Sequence, residues 1–193
     1  DYKNMSPVQV KKQWDTKRIN AANNGTRTHT FGEKYVISCL RPSNEQELGI
    51  VQWWMDLPDH IVPVALELKV FIAGLYAGTA DIILLNLKTG KLIIGDYKTN
   101  EKLYKNYKGQ KLYFPFEDLL DHGFNKYQIQ FAHYQLALEN AGFEVETCWL
   151  IWLTRDEKNF KFYKQKTTKN FTKELKDYYG YNRKTRKYSK AFI

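Results

Sequence analysis

The sequence predicts an α/β protein in which a mixed central β-sheet is flanked by helices and the N-terminal third is helical. Three observations predict it. Capped, helix-compatible stretches fill the chain up to Pro58; three segments rich in Val, Ile, Leu and Tyr follow Pro63; and a later helical stretch leads into one more apolar run, TCWLIWLT at 147–154. With 193 residues, 43% of them hydrophobic and 16% aromatic, the chain has ample material for one core. There is no internal repeat or Pro/Gly/Ser linker, so one domain over 1–193 is expected: a helical part to about 60, a sheet core over about 61–154 and a basic segment over 155–193.

Ser6-Pro7 reads as an N-cap followed by proline at the first helical position, and the polar stretch through Asn23 and Asn24 to Gly25 reads as that helix's end. A second short helix is expected from Thr26 to about Ser38, and a third, capped at Asn44 to Glu47, running to Leu57. VPVALELKVFIAGLY, TADIILLNL and KLIIGDYK then read as three antiparallel strands, the last two joined by the turn Lys88-Thr89-Gly90. A helix from about Asn125 to Asn140 stops at Ala141-Gly142, and the 147–154 run is a buried strand.

Charge is unevenly placed. Residues 155–193 carry 13 Lys/Arg against 4 Asp/Glu, which accounts for the whole formal charge of +9. Basic residues there, including Arg183, Lys184, Arg186 and Lys187, alternate with Phe and Tyr, a mixture suited to phosphate contacts and base stacking; a solvated Lys-rich surface is the alternative. A second basic and aromatic stretch, with Lys102, Tyr104, Lys105, Tyr107, Lys108 and Lys111, lies directly after the third strand and reads as a substrate arch or as a plain surface loop. Cys39 and Cys148 are far apart, which disfavours a zinc ribbon and excludes an iron–sulfur cluster held by four cysteines. An intracellular, reducing compartment and no membrane partner are expected, since no apolar run approaches a membrane span and no signal peptide is seen. The chain opens on Asp1 rather than Met, as expected of a fragment or processed product.

A turn centred near Lys88-Thr89 pairs Asp81 with Asp96, and directly opposed residues have Cβ atoms roughly 4.5–5.5 Å apart. Lys98 shares their face, beyond the apolar pairs Ile83 with Ile94 and Leu85 with Leu92. Two carboxylates held so close repel, and burying them calls for a counter-charge. Mg²⁺ or Mn²⁺ meets that need and brings hydrolytic chemistry suited to a phosphodiester. Lys98 then either orients or deprotonates the attacking water or neutralises charge on the phosphorus. The plain alternative is an Asp96–Lys98 pair at a strand end.

Gly78-Thr79-Ala80-Asp81, a hydrophobic strand ending in DYKT and a helix bearing Gln130 and Tyr134 occur in one order, and this combination resembles the RecB-like branch of the PD-(D/E)XK nuclease superfamily. Upstream, Gly25 to His29 is similar to the helical GxxxH motif of those enzymes, with Trp14 and Arg18 on the helix before it, so the resemblance spans roughly 10–140. It implies a restriction-endonuclease-like core. Asp81, Asp96, the Tyr97 carbonyl and His29 would be metal ligands, Lys98 the catalytic lysine, and Gln130 and Tyr134 residues facing phosphate and sheet. Glu67, on the preceding strand, is an additional acidic candidate. Ala80 stands where the superfamily's name has proline. The spacing from DYKT to Gln130, with its aromatic YFPFEDLL insertion, resembles phage exonucleases more than the helicase-fused domains, and the resemblance implies a metal-dependent DNA exonuclease acting on single-stranded or frayed ends in recombination, repair or replication. Its place would be cytoplasm or nucleoid, phage-encoded in a host cell, or a mitochondrion, and its partners DNA and replication or recombination proteins. A structure-specific endonuclease using the same site, or a non-catalytic DNA-binding accessory protein retaining the fold, are the alternatives.

Overall fold

The computed structural model describes residues 2–182, 187 and 188. Helix α1 spans Pro7–Ser38, α2 Glu45–Met55, strands β1 Ile61–Ile72, β2 Tyr76–Asn86 and β3 Lys91–Lys98, helix α3 Gly123–Asn140, and strand β4 Val145–Trp152. Then come β5 Lys164–Thr167, α4 Thr172–Tyr178 and a small antiparallel pair, β6 Tyr181–Asn182 with β7 Lys187–Tyr188. The five-stranded sheet has the order β1-β2-β3-β4-β5 and is mixed, because β3 and β4 run parallel while the other pairs are antiparallel. A parallel pair needs a long crossover, which residues 99–144 with α3 provide.

Alternation of side chains divides the sheet into two packed faces. Ile83 and Ile94 meet Phe131, Tyr134, Leu136 and Leu138 of α3 on one face. On the other, Ile82, Leu84, Ile93 and Tyr97 meet Phe31 of α1 and Ile50 and Trp53 of α2. Helical layers thus cover both sides of the central strands, as β2 and β3, apolar on both faces, require.

Several expectations are corrected. The N-terminal helices expected on either side of Gly25 are one continuous helix, started by a Ser6–Gln9 capping box. Gly25 lowers helix propensity by about 1 kcal/mol but retains its N–H and does not end a helix whose neighbours propagate it. Helix α2 stops at Met55 rather than Leu57. The first strand does not continue to Tyr76, because Gly74 adopts φ +74° and turns the chain into β2. Within the basic segment after residue 154, β5 extends the sheet beside β4, and α4 buries Leu175 in the α3 core. Among the described residues, no helix is long and apolar enough to cross a membrane.

Candidate active site

Strands β2 and β3 pair from Asn86–Lys91 to Ile82–Gly95, the register expected from the turn, but the regular ladder ends there. One step on, the strands open, and the Tyr97 backbone N–H donates to Asp81 Oδ2 at 3.1 Å instead of to backbone. Asp81 and Asp96 therefore lie at the same end of the sheet without forming a ladder pair, and both are buried. The Lys98 carbonyl accepts from Leu153 N–H at 2.9 Å, on the β4 side. Alternation along the strand turns the Tyr97 carbonyl the other way, toward Asp81.

Helix α1 brings His29 to this opening, with Nδ1 2.9 Å from Asp81 Oδ2. The approach depends on Gly32, one turn later: a Cβ there would stand 2.5 Å from Cε2 of the buried Tyr97 ring. Tyr97 is held in turn by Trp54, whose Nε1–H donates to its hydroxyl at 2.7 Å. Strand β1 contributes Glu67. Leu66 pairs with Ile82 and Leu68 with Ala80, so Glu67 stands opposite Asp81, and its φ of +49° is left-handed in a residue that is not glycine. Such a conformation costs on the order of 1–3 kcal/mol and is concentrated at functional positions. One donor atom each from His29, Glu67 and Asp81 lie within 4.8 Å of one another. This raises Glu67 from an additional candidate to a member of the cluster.

Electrostatics set the chemistry of the group. Burial, and next the charge of Asp81, push the Asp96 carboxyl up to about 7, against the pull of Lys98. Burial also opposes ionisation of Asp81, but hydrogen bonding and charge attraction from His29 outweigh it and hold its carboxyl below the usual range. His29 is the mirror case: burial lowers its pKa, Asp81 raises it, and the result is raised. For Lys98, whose side chain is only 12% exposed, burial favours the neutral amine but Asp96 overrides it and keeps the pKa above the ordinary lysine value. Lys98 forms a close ion pair with the buried Asp96 Oδ2. An oxygen-rich cluster with one imidazole and a carboxyl pushed toward neutrality is a donor set that fits a hard divalent cation.

Helix α3 closes the other side. Tyr134 is buried, and its Cε1 stands 2.7 Å from where a Cβ on Gly78 would be, so the glycine before Asp81 makes room for this ring. Gln130 donates through Nε2 to the Tyr134 hydroxyl at 2.6 Å. Three residues around Lys98 had escaped the sequence reading. The Lys98 ammonium sits 4.6 Å from the centre of the Tyr127 ring, whose hydroxyl donates to Asn100 Oδ1 at 2.6 Å. Trp152, the β4 neighbour of Lys98, donates through Nε1 to the Asn100 carbonyl at 2.6 Å. Tyr127 was legible, since 127, 130 and 134 share one helix face; Trp152 was not, because a parallel neighbour has no local signature.

The expected DNA-contact residues are placed unevenly. Tyr104 meets Trp152, the strand partner of Lys98, edge-on at 6.3 Å and is 48% exposed. Lys102, Lys105, Tyr107, Lys108 and Lys111 are exposed along the same loop. That loop does not stand free as an arch: Leu103 and Phe116 are buried in the α3 core, and Lys111 bridges to Leu120. Arg183, Lys184 and Arg186 lie outside the described residues, as does the side chain of Lys187. Trp14 packs edge-on against Tyr2 and Arg18 pairs with Asp15 at 3.4 Å, on the outer half of α1. No family model matches the chain, and no curated protein matches it.

Proposed function

We propose that the protein is a metal-dependent deoxyribonuclease with a restriction-endonuclease-like core, of the RecB-like PD-(D/E)XK type, acting as an exonuclease on DNA ends. The observation that carries this reading is the convergence of His29, Glu67 and Asp81, whose donor atoms lie within 4.8 Å, beside the buried Asp96–Lys98 pair. His29, Glu67, Asp81, Asp96 and the Tyr97 carbonyl would hold Mg²⁺ or Mn²⁺, which when bound supplies Lewis-acid chemistry at a phosphodiester.

The chain's own groups account for the rest. Lys98, held against Asp96, either orients or deprotonates the attacking water or stabilises charge that builds on the phosphoryl oxygens. Tyr127 and Asp96 hold its ammonium in place from two sides. Gln130 and Tyr134 form a hydrogen-bonded pair at the same mouth and orient the phosphate. Tyr104, half exposed beside Trp152, offers a ring to an unstacked base, which favours a single-stranded or frayed end.

The test is digestion of end-labelled single- and double-stranded DNA, linear and circular, with Mg²⁺, Mn²⁺ or EDTA, comparing wild type with Asp96→Ala and Lys98→Ala. Metal-dependent loss of linear DNA that spares circles, and a fall of about 10²-fold or more in both variants, is expected. Cutting of circles would assign an endonuclease instead; tight binding with no cleavage under any metal would assign a binding protein.

A further inference from the structure

Helix α1 is longer than its packing requires. Of its residues only Thr28, Phe31 and Gly32 are buried, all near its C-terminal end, so the core does not hold its outer half. On that outer half Lys17, Asn20 and Asn24 stand on successive turns of one face. They form one wall of a cleft of about 880 Å³, whose other lining includes Gln46 of α2 and Thr99 and Asn100.

Two lining residues adjoin the active site along the chain. Thr99 and Asn100 directly follow Lys98, and Asn100 takes hydrogen bonds from Tyr127 and Trp152, the two aromatic residues beside that lysine. At the inner end, Gly25 passes close to Thr99, its Cβ position 3.9 Å from Oγ1, and His29 is one turn further along α1. From Lys17 to His29 the helix covers roughly 18 Å, enough to run beside a few nucleotides.

The lining chemistry selects the occupant. An ammonium, four carboxamides and a hydroxyl present directed donors and acceptors, and the lining is more polar than apolar, which disfavours a lipid or an apolar peptide. Glu101 on the rim offsets the charge of Lys17, so contacts rest on directed hydrogen bonds more than on net charge. Asn24 already donates to Gln46 Oε1 at 2.8 Å, which fixes the wall's shape. Lys17 contacts the Tyr2 hydroxyl at 3.3 Å, an exposed interaction that a phosphate can replace.

We propose that this cleft carries the single DNA strand that leads to or from the phosphodiester held at Asp81 and Asp96, with Lys17, Asn20, Asn24 and Gln46 as its contacts. The inference rests on the nuclease reading and adds a strand path to it, separate from the 102–111 loop and the basic C-terminal segment.

The test measures fluorescence anisotropy of a labelled oligothymidylate in EDTA, where no cleavage occurs. It compares wild type with Lys17→Glu/Asn20→Ala and with Lys12→Glu, which makes the same change of net charge on another face of α1; circular dichroism melts check that each variant folds. The cleft variant is expected to bind about ten-fold more weakly, with a salt slope reduced by about one, while Lys12→Glu stays within about two-fold. Equal weakening in both variants would mean that only net charge matters and would overturn the strand path, as would unchanged binding in the cleft variant. If wild type binds no oligonucleotide at all, the nuclease reading itself fails and the cleft with it, a result distinct from failure of the cleft alone.

Discussion

His29 Nδ1 on α1 lies 2.9 Å from Asp81 Oδ2 on β2, so the first helix and the second strand meet at one carboxylate oxygen. The contact joins the helical layer of one sheet face to the strand opening where the same oxygen accepts from Tyr97 N–H. A cation held here would take over the attraction that His29 now supplies, which makes both residues sensors of metal binding.

Mn²⁺ is therefore expected to raise the melting temperature of wild type, since a ligand that binds only the folded state stabilises it. His29→Ala and Asp81→Asn are expected to weaken metal affinity about ten-fold or more. Thermal melts across a Mn²⁺ titration measure this, and shifts equal to wild type in both variants would remove the metal site.

Glu67 should trade stability against that affinity. Replacing it with glycine relieves the left-handed strain at φ +49° and is expected to stabilise the metal-free protein by about 1 kcal/mol. Glu67→Gln keeps the strain and loses only the charge. Urea unfolding with and without Mn²⁺ separates the two effects: a gain for Glu67→Gly in EDTA, and a smaller metal-induced gain for both.

Gly78 and Tyr134 should behave as one unit. A methyl group at 78 would stand 2.7 Å from the Tyr134 ring, so Gly78→Ala is expected to cost about 1–3 kcal/mol. In a Tyr134→Leu background most of that cost should vanish, and a double-mutant cycle by chemical denaturation measures the coupling. Additive losses would place the cost of the added methyl elsewhere than at the Tyr134 ring.

Glu47 ties α2 to α1 and should set part of the acid stability. Burial pushes its pKa up, but the Ser43 hydroxyl at 2.6 Å and backbone N–H at 2.7 Å, with Arg27, pull it below the ordinary range. A depressed folded pKa gives stability that is present above the unfolded value, about 4.3, and lost as pH falls through the lower folded value. Glu47→Gln is expected to cost about 1–3 kcal/mol at neutral pH and to flatten the loss below pH of about 4. Arg27→Ala should cost less than about 1 kcal/mol, because its side chain is 59% exposed. Melts over an acid pH series decide.

Much of the architecture follows from local pattern. Alternation and turn chemistry place β2 against β3 in their observed register, because a slip of one residue would turn Ile83 and Ile94 out of the α3 core. Asp81, Asp96 and Lys98 are thereby brought to one end of the sheet by sequence alone, and the helical spacing of Gln130 and Tyr134 puts them on one face. Other features depend on contacts between segments distant along the chain. The strands open beyond Ile82–Gly95, Glu67 joins His29 and Asp81, and Trp152 comes to lie beside Lys98 because β1, α1 and β4 pack there. Gly25 reads locally as a stop and sits inside a continuous helix, since the tendency of one residue is weaker than the hydrogen bonding of the turns on either side. Periodicity reports which face of an element is apolar, whereas the position of a donor atom within a site depends on how faces distant in sequence close on one another, which no local pattern encodes.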